Sequence, residues 1–260
     1  MNSADPTSPN QASAATQAKP VALVLGAYGG IGSTLCRMLY AQGWRLALAG
    51  RDEGRLQELA RAVEGSALSV DARDPSTVEA CVERAAALHG RLDGIVNCVG
   101  SLILKPAHMT TDAEWQETLA TNMNSAFGVV RGAARHMKNG GSVVLVSSAA
   151  ARVGLANHEA IAAAKAGVEG LALSAAATYA SRRIRINCVA PGLVQTPLTA
   201  KLTATDVLVK GSVSMHALGR LGEPSDVASA ITWLLDPANS WITGQVLGVD
   251  GGLAKVRARA

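Results

Sequence analysis

Aromatic residues are scarce in this 260-residue chain: one Phe, three Tyr and four Trp, or 3%. That is too few to build a run of stacking platforms for single-stranded nucleic acid. Cysteines are also few. Cys36, Cys81, Cys98 and Cys188 are widely spaced in apolar surroundings and form no Cys-x-x-Cys pair with partner histidines. This argues against a metal site and for buried free thiols in a reducing compartment. No run approaches eighteen apolar residues, and the N-terminus lacks a charged-then-apolar pattern. The expectation is a cytoplasmic protein with no membrane association. The net charge of +4 is no nucleic-acid signal, because Lys255, Arg257 and Arg259 supply three of the charges. They form a basic tail over 254–260 and leave the body nearly neutral. Residues 1–19, rich in Ser, Ala, Pro, Asn, Gln and Thr, are expected to stay disordered.

What is present is apolar periodicity. With 48% hydrophobic residues the chain can bury one sizeable core. From Val21 onward, short apolar runs alternate with helix-length amphipathic stretches, the pattern of an α/β parallel sheet covered on both faces. Strands are predicted at 21–26, 45–49, 67–70, 94–97, 142–147, 184–189 and 245–249. Helices are predicted at 30–42, 52–63, 75–88, 112–137, 158–180 and 224–235. One domain over 20–253 is expected, with 197–219, weakly periodic and after a strand end, as a substrate lid.

The first strand runs into Gly26-Ala-Tyr28-Gly29-Gly30-Ile31-Gly32, a glycine-rich turn that opens a helix. Such a turn lets backbone approach a pyrophosphate and presents free amides to it. Tyr28 is expected to cover the phosphates. At the end of the second strand, Gly50 offers no carboxylate to ribose hydroxyls, while Arg51 offers a cation to a 2′-phosphate, which favours NADP(H) over NAD(H). Asp52 suits the helix N-cap.

The turn is followed by Asp71, Asn97-Cys-Val99-Gly100, Asn122, Ser148, Lys165, Pro191-Gly192-Leu-Val194-Gln-Thr196, Gly219-Arg-Leu-Gly-Glu-Pro and Gly244-Gln-Val-Leu-Gly-Val-Asp-Gly-Gly252. In this order and spacing, Val21 to Leu253 resembles the short-chain dehydrogenases/reductases. The resemblance implies a doubly wound Rossmann-type sheet of about seven strands. It also implies that Asp71 and Ala72 flank the adenine, that Asn97 to Gly100 line the adenosine side and that Pro191 to Thr196 hold the nicotinamide. Lys165 would bond the nicotinamide ribose, Ser148 would polarise the substrate oxygen, and Asn122 would hold a water. Leu25 and Cys98-Val99 depart from the family's usual residues, and they should change packing more than binding.

The departure that matters is Ile161. It stands thirteen positions after Ser148 and four before Lys165, where the family places the tyrosine that transfers the proton. His158 lies seven residues before Lys165 on the same helical face, and an imidazole is a suitable acid or base at neutral pH. It can equally cap the helix or line the pocket. Two functions stay open: an oxidoreductase on a carbonyl or secondary alcohol, using His158 or a held water for the proton, or a cofactor-binding scaffold without turnover. Leu102, Leu155, Leu193 and Met215 suggest an apolar substrate pocket. The small residues Ala162, Ala163, Ala164, Gly167, Gly170, Ala175 and Ala176 permit close helix packing. Together with the resemblance they imply a homotetramer.

Overall fold

The computed structural model describes residues 19–257. The expected N-terminal tail up to Ala18 and Arg259 of the basic tail lie outside the described residues. Seven strands form one parallel sheet: β1 (Val21–Leu25), β2 (Arg45–Gly50), β3 (Ser66–Ser69), β4 (Gly94–Asn97), β5 (Gly141–Val146), β6 (Ile184–Pro191) and β7 (Val246–Val249). Their order is β3-β2-β1-β4-β5-β6-β7. β1, β4 and β5 are almost wholly apolar because helices cover both of their faces. The helices α1 (Gly30–Ala41), α2 (Glu53–Ala62) and α8 (Pro224–Leu235) bury Leu35, Leu39, Leu56, Ile231 and Leu234 on one face. On the other face, α3 (Pro75–His89), α5 (Ser125–His136) and α6 (Glu159–Tyr179) bury Val78, Val82, Val129, Val168 and Ala172.

The chain winds outward from β1 to β3 and then crosses to β4. The strand order reverses between β1 and β4, and a crevice opens at their carboxyl ends. Register aligns those ends, since Leu25 pairs with both Ala49 and Asn97, Asn97 with Leu145, and Val146 with Val189. Every residue that follows a strand in this row therefore reaches the same crevice.

Two expectations need correction. The helix predicted over 112–137 is interrupted: α4 (Asp112–Leu119) passes through a π turn at Ala120–Asn124 before α5. The Asn122 amide donates to Thr118 O, four residues back, at 2.9 Å and to Ser101 Oγ at 2.9 Å. Its side chain thus takes a carbonyl that the regular ladder would use. The weakly periodic segment 197–219 is also more regular than expected, with a 3-10 stretch at Pro197–Thr203 and a helix α7 (Asp206–Met215). On α6 the small residues divide between the chain's interior and its surface. Ala164, Ala175 and Ala176 are buried, and Gly167 meets Met123 next to α5, leaving Ala163 and Gly170 exposed. The stretch Glu159–Arg182 has the length and apolar composition of a membrane span, but its apolar face packs against the sheet.

Candidate active site

One end of the crevice starts from the glycine turn. Gly26 has φ +70°, and a Cβ there would come within 2.9 Å of the Cys98 carbonyl carbon, so glycine is required where β1 turns past β4. Unlike α2, α3 and α4, which Asp52, Asp74 and Thr111 cap, α1 starts at Gly29 with no side-chain cap and no acidic residue in its first turn. Its uncompensated amides fit a pyrophosphate. Gly26, Tyr28, Gly29, Gly30, Ile31 and Gly32 line one wall of a cavity of about 220 Å³, and Arg51, Asp71, Ala72 and Arg73 line its far end.

Tyr28 lines the same cavity as Gly29 to Gly32. Its ring packs on Gly50, and its hydroxyl accepts the Arg51 and Asp52 amide protons at 3.3 and 3.2 Å. This is the adenosine side of the crevice. The Arg55 guanidinium stacks 4.5 Å above the ring. Asp52 caps α2 by accepting from Arg55 N. Arg73 holds the Asp71 carboxyl well down, to about 2. The Arg51 guanidinium has no hydrogen bond or ion pair among the described residues.

At the other end, a cavity of about 400 Å³ is lined by Asn122, Ser148, His158, Ile161 and Lys165, and by Pro191, Gly192, Val194 and Thr196 of the β6 loop. Val99 and Gly100 line both cavities, so the two form one cleft. Lys165 is 6% exposed and donates through Nζ to Val146 O at 2.8 Å. Burial pulls its ammonium down to about 8 from 10.5. A Cβ on Gly100 would lie 3.6 Å from that Nζ and 3.3 Å from Asn122 Oδ1, so the two polar heads face one spot. Ser148 Oγ accepts the Ala150 amide proton at 3.2 Å and keeps its own proton for a substrate oxygen. His158 Nδ1 lies 2.7 Å from Ala156 O, leaving Nε2 for the cavity. Ile161 is 3% exposed, and no hydroxyl takes its place on that helical turn. Burial pushes the Cys98 and Cys188 thiols up to about 12, so they stay neutral beside the ammonium.

One predicted site residue stands apart. Asn97 lines neither cavity; its amide donates to Ser125 Oγ and its carbonyl accepts the Val99 amide proton, so it holds the β4 loop in shape. Sequence reasoning also missed residues. His216, 4% exposed, lies 2.7 Å from Ser212 O through Nδ1 and accepts the Leu193 amide proton on Nε2 at 3.2 Å. It fastens α7 to the β6 loop, and a Cβ on Gly192 would come within 2.6 Å of Nε2. Ser101 joins Asn122 at the cavity wall. A lone His at a lid end carries no motif, and Ser101 only follows a glycine, so neither stood out. A larger open groove of about 1280 Å³ lies at the amino ends of β5 and β6, away from these groups.

A doubly wound parallel sheet with an uncapped glycine turn and a Ser-Lys pair at the strand ends is the framework of a dinucleotide-dependent oxidoreductase. The chain belongs to the short-chain dehydrogenase/reductase family. A family model described as enoyl-(acyl carrier protein) reductase matches residues 26–254. The chain is 38% identical to a cis-4-hydroxycyclohexanecarboxylate dehydrogenase of Sinomonas cyclohexanicum, covering 92% of this chain and 98% of that protein. It is 35% identical to a galactitol 2-dehydrogenase (L-tagatose-forming) of Cereibacter sphaeroides, covering 89% and 93%. A short-chain type dehydrogenase/reductase structure from Mycobacterium ulcerans matches with a TM-score of 0.87 at 32% identity, covering 92% and 91%. The family binds a nicotinamide cofactor and acts on small molecules, and this chain is an oxidoreductase of that kind.

The buried ammonium makes stability depend on pH. The folded chain releases the Lys165 proton near pH 8, whereas an unfolded chain keeps it to about 10.5. Between those values the unfolded state binds more protons, so this group's contribution to stability rises with pH. In urea titrations the wild type should gain on Lys165→Met by about 3 kcal/mol at most between pH 8 and 10.5 and hold level below pH 8. A difference that does not change with pH contradicts a buried ammonium.

Proposed function

We propose that the protein is an NADP(H)-dependent oxidoreductase that transfers hydride between the nicotinamide and the carbonyl or secondary-alcohol carbon of a small molecule, with His158 as proton donor. The observation that carries this reading is the placement of His158. Its ring lines the cavity that Ser148, Ile161 and Lys165 share, and Nδ1 is engaged by Ala156 O, so Nε2 is left for substrate. A bound nicotinamide supplies or accepts the hydride. Ser148 donates its hydroxyl proton to the substrate oxygen and orients it. The imidazolium Nε2–H gives its proton to that oxygen as the carbonyl carbon receives hydride, and solvent restores the proton to the half-buried ring. Lys165 bonds the nicotinamide ribose, and Asn122 with Ser101 holds the neighbouring polar path. The segment 197–219 covers the substrate. A cytoplasmic location accords with four free cysteines.

Support for NADP(H) comes from the free guanidinium of Arg51, from Arg55 beside it, and from Gly50 in place of a carboxylate. A homotetramer is supported by two separate apolar faces. Phe127 and Leu173 are exposed on α5 and α6, at 45% and 62%, and Trp233 and Leu247 on α8 and β7. Paired two-fold axes need two such faces on each chain.

Three measurements test this reading. Fluorescence titration should find NADPH bound more tightly than NADH, and Arg51→Ala should weaken NADPH by about 10- to 100-fold while sparing NADH. Equal wild-type affinities would remove Arg51 from phosphate recognition. In ketone reduction, His158→Ala should lower kcat by about 10²- to 10⁴-fold, and Ile161→Tyr, which places a hydroxyl beside Lys165, should raise it within the same range. If NADPH binds while neither wild type nor Ile161→Tyr turns over any ketone or alcohol in a broad panel, the protein is a cofactor-binding scaffold instead. Light scattering at micromolar concentration should return four chains, and a stable monomer contradicts the assembly.

A further inference from the structure

Tyr28 and Gly50 are a matched pair at the end of β2. The glycine admits the ring, because a Cβ at position 50 would meet Tyr28 Cε1 at 2.5 Å and Cζ at 3.3 Å. A strand-end carboxylate and this ring therefore cannot share the place. Arg55 holds the ring there, with its guanidinium 4.5 Å from the ring centroid and Nη2 donating to the Tyr28 carbonyl at 3.2 Å. The hydroxyl is the informative atom. It accepts amide protons from two consecutive residues, Arg51 at 3.3 Å and Asp52 at 3.2 Å, so both of its lone pairs are engaged. Its own proton has no acceptor among the described residues. What is left on this oxygen is a donor, polarised by the two amides.

The neighbouring groups are also short of acceptors. Arg51 lines the same cavity as Tyr28 and Gly50, and its guanidinium is uncommitted among the described residues. The carboxylates nearby are engaged: Asp52 Oδ1 caps α2 by accepting from Arg55 N at 3.0 Å, and Asp71 pairs with Arg73 at 2.5 Å. A ribose hydroxyl placed here finds no uncommitted carboxylate for its proton. A phosphate, whose oxygens accept, meets a phenol O–H and a guanidinium.

We propose that Tyr28 is a specificity-determining residue for the cofactor: its phenol O–H donates to the 2′-phosphate of the adenosine ribose, beside Arg51. The proposal rests on the NADP(H) reading and adds to it a second residue with a different task. Arg51 is exposed on a long flexible side chain and supplies charge. Tyr28 is held by Gly50 and Arg55 and supplies position. Gly50 serves the same recognition, since it leaves room for the ring that carries the donor.

Calorimetry with adenosine 2′,5′-bisphosphate and adenosine 5′-monophosphate tests this without nicotinamide or turnover, because the two probes differ only by the 2′-phosphate. Wild type should prefer the bisphosphate. Tyr28→Phe keeps the ring and removes the hydroxyl, so it should weaken the bisphosphate by about 10- to 100-fold and leave the monophosphate within about 3-fold. Gly50→Ala puts a methyl in the ring's place without changing charge, and should cost the bisphosphate alone by a similar factor. The double variant should lose no more than the larger single loss, since both changes remove one contact. Tighter binding of the bisphosphate to Tyr28→Phe would mean that the hydroxyl merely blocks the two amides, and overturns the proposal. Unchanged binding in Tyr28→Phe, with wild type still preferring the bisphosphate, overturns it and leaves the NADP(H) reading standing. Equal wild-type affinities for the two probes sink that reading, and this proposal with it. A loss in Tyr28→Phe but none in Gly50→Ala, shown folded by thermal denaturation, overturns the pairing with Gly50. Should Gly50→Ala fail to fold, Tyr28→Phe decides alone.

Discussion

One ammonium group organises the site. Lys165 Nζ sits almost wholly out of water at the junction of three elements: Val146 at the end of β5, Gly100 after β4, and its own helix α6. Its protein acceptor is a neutral carbonyl, and burial accordingly pulls it down to about 8. Its surroundings depend on the β4–β5 register, in which Asn97 pairs with Leu145 just before the two loops, and a Cβ on Gly100 would already touch both Asn122 Oδ1 and Nζ. Glu169, one turn after Lys165, is the nearest acid on α6, but it is tied to Ser147 and Arg152 and leaves the ammonium unpaired. An unpaired buried charge next to an anion-ready glycine turn suits a site whose remaining partner is a bound dinucleotide.

The lid and the cofactor loop form a second unit. His216 is held through both ring nitrogens, near Ser212 O at one and the Leu193 amide at the other. Thr199 donates to Val194 O from the start of the 3-10 stretch. The β6 loop is thus tied to the segment that follows it at two points, the 3-10 stretch and the end of α7. Thr196 also touches Gly30 of the glycine turn. Movement of α7 must then disturb the β6 loop, which makes the apolar roof and the cofactor loop change shape together.

How far the sequence could be read followed from the range of the forces involved. The seven strands were legible within a residue or two because burial on both faces demands unbroken apolar runs, as in Val21–Leu25. The glycine turn was legible because steric demands at Gly26 admit little else. The π turn was not, since Asn122 looks like any helical Asn until Ser101 is brought to it from a different element. The packing of Tyr28 was not legible either, because the space over Gly50 that receives its ring exists only when β2 lies beside β1. His216 and Asn97 show the same limit from both sides. One is a site residue without a motif, and the other is a motif residue whose side chain is used for structure.

Ile161 can now be weighed against its surroundings. A scaffold that only bound dinucleotide would gain from the ammonium but would have no use for a serine hydroxyl at the cavity wall with no acceptor of its own among the described residues, or for an imidazole lining the same wall. Losing a tyrosine removes one proton-transfer contribution of about 10² to 10⁴ in rate. Holding substrate oxygen and cofactor in reacting geometry contributes more, with effective molarities of about 10⁵ M and above. That larger contribution depends on the sheet register, Ser148, Lys165 and the tied lid, none of which passes through position 161. On the proposed reading, Ile161 changes which group carries the proton, while Ser148, Lys165 and the sheet register keep their form.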